Sequence, residues 1–292
     1  MKTIYCSVHG YTHWEACLIR IVNTPEFQRL KRIKQLAAVH HVFPGATHTR
    51  FEHSIGVGHL AEQFAKSLQR AHPELEIEPF VLKLAGLCHD LGHGPMSHAF
   101  DRFLGRLGRT HTHEDRSCTL LRSVVAKYDI SIHPDVVDKA CELIRPVSRY
   151  LPKFWYQIIA NDTDSVDVDK LDYLQRDAMH TGVRYSIDIQ RFFLYARVVE
   201  DSLCYSYESM PFEINRMFTA RHELHHRVYQ HPVVRAIEFM YLDILELYGE
   251  SLCSTNEFAA LTDNVFERHY PLFLSKTGLL TEERARKVLH IL

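Results

Sequence analysis

From Glu52 onward, apolar side chains recur at Ile55, Leu60, Phe64 and Leu68, a helical spacing that ends before Pro73. After Pro79, the run of Phe80, Val81, Leu84, Leu87, Cys88 and Leu91 predicts another helix, apolar on most sides and therefore buried. Gly92-His93-Gly94-Pro95 stops it. Upstream, Thr24-Pro25-Glu26 reads as a helix start, with a Thr cap, Pro at the first helical position and an acid in the first turn. That helix is expected to run to about Ala38, before Pro44-Gly45-Ala46-Thr47 breaks it. Further helices are predicted at about 113–127, 134–144 and 153–180. Val198-Val199, polar Glu200-Asp201-Ser202, then Leu203, Tyr205 and Tyr207 predict a small β-hairpin. A long helix from about Glu213 to Tyr248 follows, and the remainder also reads helical. No internal repeat, low-complexity tract or linker interrupts the pattern. The expectation is a mainly α helical bundle with a small β-hairpin insertion, one domain over residues 1–292 with its core at about 25–250.

Composition narrows the function classes. The chain has 292 residues, 46% hydrophobic and 24% charged, with a formal net charge of -2. A broad nucleic-acid-binding face is not favoured without a basic excess, although a local basic pocket stays open. The seven cysteines form no C-x-x-C pair, so neither a disulfide framework nor a Cys-type zinc site is expected. The opening Met1-Lys2-Thr3-Ile4-Tyr5-Cys6-Ser7-Val8-His9-Gly10 lacks the apolar stretch of a signal peptide. No uninterrupted apolar run approaches the roughly 18 residues that span a bilayer. A cytoplasmic protein without a membrane partner is the expectation, with the nucleus open.

Histidine is the compositional oddity. There are 21, and eleven lie between His40 and His113. Any one of them is most simply a surface residue, but neutral imidazole is also a metal ligand and a proton carrier. Within this stretch stands Cys88-His89-Asp90-Leu91-Gly92-His93-Gly94. A His and an Asp side by side at the end of a buried helix are costly unless something pairs with them. An imidazole nitrogen and a carboxylate oxygen can meet one cation, which offsets that cost. Two more ligands must then come from elsewhere. His53, after Arg50-Phe51-Glu52, and Asp169, in Asp167-Val168-Asp169-Lys170, lie on other predicted helices.

The order His, His-Asp, Asp resembles the HD superfamily, in which helices present ligands to a central metal. A lone His-Asp pair is a weak signal, and an ordinary paired His and Asp is its bland alternative. The resemblance is closer to the deoxynucleoside triphosphate triphosphohydrolases with SAM and HD domains. It is carried by Ile33-Lys34-Gln35-Leu36, Val42-Phe43-Pro44-Gly45-Ala46, Arg50-Phe51-Glu52-His53-Ser54, Ala85 to Pro95, and Asp167-Val168-Asp169-Lys170-Leu171-Asp172-Tyr173. Arg221 and Tyr229-Gln230-His231 extend it, and it runs from about residue 9 to about Asn264. The resemblance implies a metal held by His53, His89, Asp90 and Asp169. Such a set accepts Fe, Mn, Zn, Ni or Co, with Mg a candidate second ion.

The same resemblance implies that His93, His98 and His113 line the α-phosphate, with His98 the general acid. Taken singly, His98 is more often a capping or packing histidine. Asp169, Tyr173 and Asp177 fall at i, i+4 and i+8, on one helix face that is either a solvated stripe or, if Asp169 binds metal, turned inward. Lys170 and Arg50 would balance polyphosphate charge. Arg221, His225 and Tyr229 form a second such ladder. By resemblance, Arg221 and Tyr229 contact phosphate and sugar, with Gln230 beside them. Gln35 and Asp177 would bind the 3′-hydroxyl, and Leu36 and Tyr229 would crowd C2′.

Departures from the family are also legible. Tyr5-Cys6-Ser7-Val8-His9-Gly10 stands where it has Asn-Asp-Pro-Ile-His-Gly, Asn23 where it has Asp, and Lys31 where it has Arg. The resemblance places these positions at a guanine-nucleotide regulatory site. The sequence also shows no counterpart of the SAM domain or the C-terminal regulatory lobe, so activity without a nucleotide activator is expected. The expected activity is hydrolysis of deoxynucleoside triphosphates to deoxynucleoside and tripolyphosphate. A nucleotide monophosphatase or phosphodiesterase on the same scaffold is the enzymatic alternative. A nucleic-acid-binding or regulatory module with a relict site is the third, opposed by the intact metal set. A nucleotide is the expected partner, and homo-oligomerisation stays open.

Overall fold

In the computed structural model, which describes residues 1–248 and 260–265, the chain is mainly helical with two small antiparallel hairpins. The first hairpin, β1 (Lys2–Cys6) and β2 (Gly10–Trp14), is an element that helical periodicity passes over. Alternation explains it: Thr12 and Trp14 are buried, Tyr11 and His13 exposed, and Gly10 takes a left-handed φ of 73° at the turn. Trp14 is fully buried under the Lys83 ammonium, 4.8 Å from its ring centroid.

After α1 (Ala16–Val22), Thr24 caps α2 (Pro25–Gln28) as the sequence predicts, but the helix lasts one turn. Short 3-10 turns at Arg29–Arg32 and Ala37–His41 replace the expected run to Ala38. The backbone between them bonds elsewhere. Gln35 N–H donates to the His48 carbonyl at 3.0 Å, and Arg50 N–H donates to the Ile33 carbonyl at 2.9 Å. Residues 33–36 therefore run beside 48–50, with tertiary pairing overriding helix propensity. This detour carries Gln35 and Leu36 to the start of α3 (Arg50–Ala71).

Helix α3 packs closely on α4 (Pro79–Cys88). A Cβ on Gly86 would lie 3.0 Å from the Val57 carbonyl oxygen and 3.1 Å from Gly58 Cα, so the crossing leaves little room for a side chain. Because α4 ends at Cys88, His89 and Asp90 sit in the following turn rather than inside the helix. Next come α5 (His98–Arg106), α6 (His113–Lys127) and α7 (Pro134–Ile144), the last two on the predicted boundaries. Thr112 and Asp115 form a capping box that sets His113 in the first position of α6.

The predicted helix 153–180 is two, α8 (Lys153–Ile159) and α9 (Val168–Thr181). Between them lies Asn161-Asp162-Thr163-Asp164-Ser165, five turn formers in a row. Asn161 Oδ1 accepts from Thr163 N–H at 3.0 Å and Asp164 N–H at 3.3 Å. Asp167 then caps α9, which ends at Gly182 in the left-handed region. After α10 (Ile189–Tyr195), the predicted second hairpin is β3 (Ala196–Val199) and β4 (Ser202–Tyr205), with Glu200 and Asp201 at positive φ in its two-residue turn. The long helix 213–248 is also divided, into α11 (Pro211–Leu224), a π turn at His225–Tyr229, and α12 (Pro232–Tyr248). Pro232 cannot donate an amide hydrogen to the helical ladder, so the break falls there. The helical remainder expected after Tyr248 falls outside the described residues, apart from 260–265. Among the described residues, no helix is long and apolar enough to cross a membrane.

Candidate active site

Three elements converge on one point. His53 comes from the first turn of α3, His89 and Asp90 from the turn after α4, and Asp169 from the first turn of α9. His53 Nε2 lies 3.0 Å from Asp169 Oδ1 and 3.5 Å from Asp90 Oδ2. His89 Nε2 lies 3.4 Å from Asp90 Oδ1 and 3.7 Å from Asp169 Oδ1. Donor atoms on a cation with bonds of about 2.1 Å stand roughly 3–3.5 Å apart, so His53, His89 and Asp90 have near the spacing of a ligand set, with the Asp169 carboxylate beside both imidazoles.

The orientation of the rings supports the same fit. His53 Nδ1 meets Asp172 Oδ2 at 2.7 Å, and His89 Nδ1 meets the Gly86 carbonyl at 2.7 Å. Each Nδ1 therefore carries the hydrogen, which leaves both Nε2 atoms aimed at carboxylates, buried and without an aligned hydrogen bond. A lone pair facing a carboxylate calls for a positive charge between them, and either a proton or a cation meets that demand. Burial opposes a charged His53 ring, but Asp169 and Asp172 outweigh it and push it up to about 10. His89 is raised in the same way, burial being outweighed by Asp90 and Asp169. Burial also opposes the Asp90 charge, yet Arg50 and the neighbouring histidines hold its carboxyl well below the usual carboxylate range.

Beside this cluster stands a second group. The rings of His93 and His113 stack at 4.0 Å between centroids, and His98 meets His93 edge-on at 5.0 Å. Asp101 of α5, which the sequence reading does not single out, joins them, with His113 Nδ1 3.2 Å from its Oδ2. His93 is fully buried with its Nε2 3.1 Å from Asp90 Oδ1, whereas the His98 side chain is 64% exposed to the cleft. The cleft walls and the Arg50 charge push His98 down to about 4.

The cleft has a volume of about 410 Å³, within the range of small-molecule sites. Its lining includes Gln35, Leu36, Arg50, Tyr173, Asp177, Tyr229 and Gln230, all read from the sequence. At the end away from the His/Asp cluster, Asp177 accepts from Tyr229 Oη at 2.6 Å and pairs with His48 Nε2 at 2.7 Å. His48 is a further residue that the sequence reading misses. Gln35 is buried and its Oε1 has no hydrogen-bond partner. Three expected residues stand apart from the lining, His53 among them, buried behind Asp90 and Asp169. The Lys170 ammonium is 2.6 Å from the buried Asp167 carboxylate, and Arg221 is exposed on α11. Arg102 and Arg235 line the cleft instead, both paired with Glu238.

Long-range contacts hold the loops. Arg29 donates to the carbonyls of Leu91 at 2.5 Å and His93 at 2.7 Å, fixing the turn after the His-Asp pair. Ser117 Oγ accepts from Gly92 N–H at 2.7 Å and donates to the His89 carbonyl at 2.6 Å. The Asp263 carboxylate accepts from the amides of Lys34 at 2.8 Å and Met96 at 2.7 Å, joining the two loops that flank Arg50. None of these supports has a local sequence signal.

Residues 50–177 match the HD domain family, a span that opens on Arg50 and closes on Asp177. The chain is 36% identical to a deoxynucleoside triphosphate triphosphohydrolase SAMHD1 homolog of Dictyostelium discoideum, across 99% of this chain and 57% of that protein. It is 37% identical to the deoxynucleoside triphosphate triphosphohydrolase SAMHD1 of Bos taurus, across 91% of this chain and 53% of that one. A putative HD domain-containing protein, L394, of Acanthamoeba polyphaga mimivirus is 33% identical across 91% of this chain and 64% of its own length. The chain thus spans about half the length of most curated relatives it matches. The converging His and Asp side chains of α3, α9 and the turn after α4 lie inside the matched span, and residues 50–177 carry the match to the HD domain family.

Proposed function

We propose that this protein is a metal-dependent phosphohydrolase that cleaves deoxynucleoside triphosphates at the α-phosphate, releasing the deoxynucleoside and tripolyphosphate. The observation that carries this reading is one cleft with three parts in sequence: a His/Asp cluster fit for a cation, a histidine group beside it, and a hydrogen-bonding end at Gln35, Asp177 and Tyr229. The names of the curated relatives support the substrate class.

In this reading His53, His89, Asp90 and Asp169 hold a divalent transition metal, with Fe, Mn, Zn, Ni and Co as candidates and Mg as a second ion on the polyphosphate. The bound metal would polarise a phosphoryl oxygen and supply an activated water. Arg50, Arg102 and Arg235 offer positive charge along the cleft, and Lys170 reaches the polyphosphate only by leaving Asp167. His93 and His113 face the α-phosphate, and His98 gives its proton to the departing 5′-oxygen. Neutral in the free cleft near pH 7, His98 becomes an acid as the phosphate charges draw its proton affinity upward. Gln35 and Asp177 take the 3′-hydroxyl, Leu36 and Tyr229 pack against C2′, and Tyr173, Gln230 and Arg221 complete the sugar and phosphate contacts.

The test is to incubate the protein with Mn²⁺ and dGTP and resolve the products. Tripolyphosphate and deoxyguanosine are expected. Stepwise release of phosphate would replace this reading with a phosphatase, and no hydrolysis by a Mn²⁺-loaded protein would end it.

A further inference from the structure

We propose that His9, between β1 and β2, is a positioning residue for His53, acting through the Asp172 carboxylate. The inference rests on the reading above in which His53 is a metal ligand. Asp172 is fully buried in α9 and receives four donors. His53 Nδ1 meets Oδ2 at 2.7 Å and His9 Nε2 meets Oδ1 at 2.6 Å. Arg176 completes the set, with Nε 2.9 Å from Oδ2 and Nη2 2.7 Å from Oδ1. The Arg176 charge balances the carboxylate, and each imidazole presents one ring nitrogen to it.

Space reinforces these bonds. A Cβ on Gly56 of α3 would overlap the Asp172 carboxylate and crowd the Arg176 guanidinium, so the pair is pressed against the helix that carries His53. The hairpin touches it twice, because Arg176 Nη2 also reaches Cys6 Sγ at 3.4 Å. A carboxylate that orients a ligating imidazole fixes both its tautomer and its rotation. Here the orientation of that carboxylate depends on a ring supplied by a separate element some 160 residues away in sequence.

His9 does not line the nucleotide cleft. It faces a second cavity of about 450 Å³ on another side of α9, with His59, Gln63, Gln175, Asp188 and Gln190 around it. Replacing the ring by an apolar group would leave Asp172 Oδ1 with Arg176 alone and free the carboxylate to turn away from His53. The hairpin itself keeps its anchor, since Trp14 stays buried and Lys83 Nζ donates to the His13 carbonyl at 2.7 Å.

The test compares wild type, His9→Leu, His9→Gln and Asp90→Ala, each stripped of metal and titrated with Co²⁺ by visible absorption. Melting temperatures are recorded, and kcat and KM for dGTP are measured on the Mn²⁺-loaded proteins. Leu removes the donor at similar volume, whereas the Gln side-chain amide can donate to Oδ1 from nearly the same place. His9→Leu is expected to bind Co²⁺ about 10–100-fold more weakly, with a changed absorption band. Its kcat should fall while KM stays within about twofold. His9→Gln should recover most of both. Wild-type Co²⁺ affinity and spectrum in His9→Leu would overturn this inference and leave the ligand assignment standing. Equal weakening in His9→Leu and His9→Gln would also overturn it, because the donor would then not matter. No Co²⁺ binding by wild type, or unchanged binding in Asp90→Ala, would overturn the ligand assignment and this inference together.

Discussion

The Arg50 guanidinium donates through Nη1 to Asp90 Oδ2 at 2.6 Å, and both side chains are almost wholly buried. Its Nε also donates to Ser97 Oγ at 3.0 Å, so one residue ties the His-Asp turn to the loop before α5. Removing one member of a buried pair leaves the other charge uncompensated, at a cost of about 3–5 kcal/mol. Arg50→Ala is therefore expected to lose stability on that scale and to lose kcat/KM on the order of 100-fold or more. Arg50→Lys keeps the charge but not the planar fork, and should fall between. Urea denaturation and steady-state kinetics check both. An Arg50→Ala protein with normal stability and turnover would show that the pair does neither job.

The His53 ring gives a pH dependence with a definite sign. Its folded-state value lies at about 10, above the ordinary 6.5. In the metal-free protein, the stabilisation from its proton is fully present below pH 6.5 and is lost as pH rises through about 10. A bound cation replaces that proton, so the metal-loaded protein should not share the loss. Melting temperature measured from pH 6.5 to 10, with chelator and with Mn²⁺, is expected to diverge toward the alkaline end. Parallel curves would remove His53 from the metal site.

At the other end of the cleft, the unpaired Gln35 Oε1 lines the same wall as the Asp177 carboxylate, which Tyr229 and His48 already hold in place. A site built to bond a hydroxyl rejects an analogue without it, because buried polar groups are left unmatched at about 1–3 kcal/mol. A 2′,3′-dideoxynucleoside triphosphate should therefore show kcat/KM roughly tenfold or more below its deoxy parent. Gln35→Ala should narrow that difference. Equal kcat/KM for the two wild-type substrates would mean that these residues read something else.

If His98 protonates the leaving 5′-oxygen, its importance depends on that oxygen's basicity. His98→Ala should lose about 100-fold or more in kcat on dGTP. The loss should shrink sharply on an aryl triphosphate whose departing phenolate needs no proton. An equal loss on both substrates would assign His98 to binding rather than to acid catalysis.

How much of this was legible follows the range of the interactions. Helix boundaries at His113–Lys127 and Pro134–Ile144 matched because their caps are local. The run from Thr24 to Ala38 and the run from 153 to 180 depart from one continuous helix for different reasons. In the first, Gln35 and Arg50 exchange backbone bonds with distant segments. In the second, the turn formers from Asn161 to Ser165 end one helix before the next begins. His53, His89, Asp90 and Asp169 did converge, because the family's motif order encodes one helix crossing after another. His9, His48, Asp101 and Asp263 carry no such signal, since each acts across the fold on a residue far away in sequence. Lys170 was read as a phosphate contact from its position beside Asp169, but the buried Asp167 holds its ammonium.

The last prediction concerns activation. By resemblance, Asn23 and Lys31 occupy positions where the family's regulatory site has Asp and Arg. An Asp carboxylate can accept from both the N1–H and the N2–H of guanine. Asn23 has a single acceptor oxygen and a donor amide, so it cannot copy that pattern. It is exposed at the end of α1, where its backbone N–H rather than its side chain finishes the helix. Lys31 offers a point charge in place of a planar fork, and that charge lies 4.6 Å over the Phe51 ring. Both features argue against a guanine nucleotide held at these two positions. Hydrolysis of dATP or dTTP is therefore expected to proceed at the same rate, within about twofold, with or without added GTP. Asn23→Asp with Lys31→Arg should bind GTP more tightly than the native chain, read by calorimetry in the absence of substrate. A large rise in the native rate on adding GTP, accompanied by a rise in oligomeric mass, would show that the site has rebuilt itself from other residues.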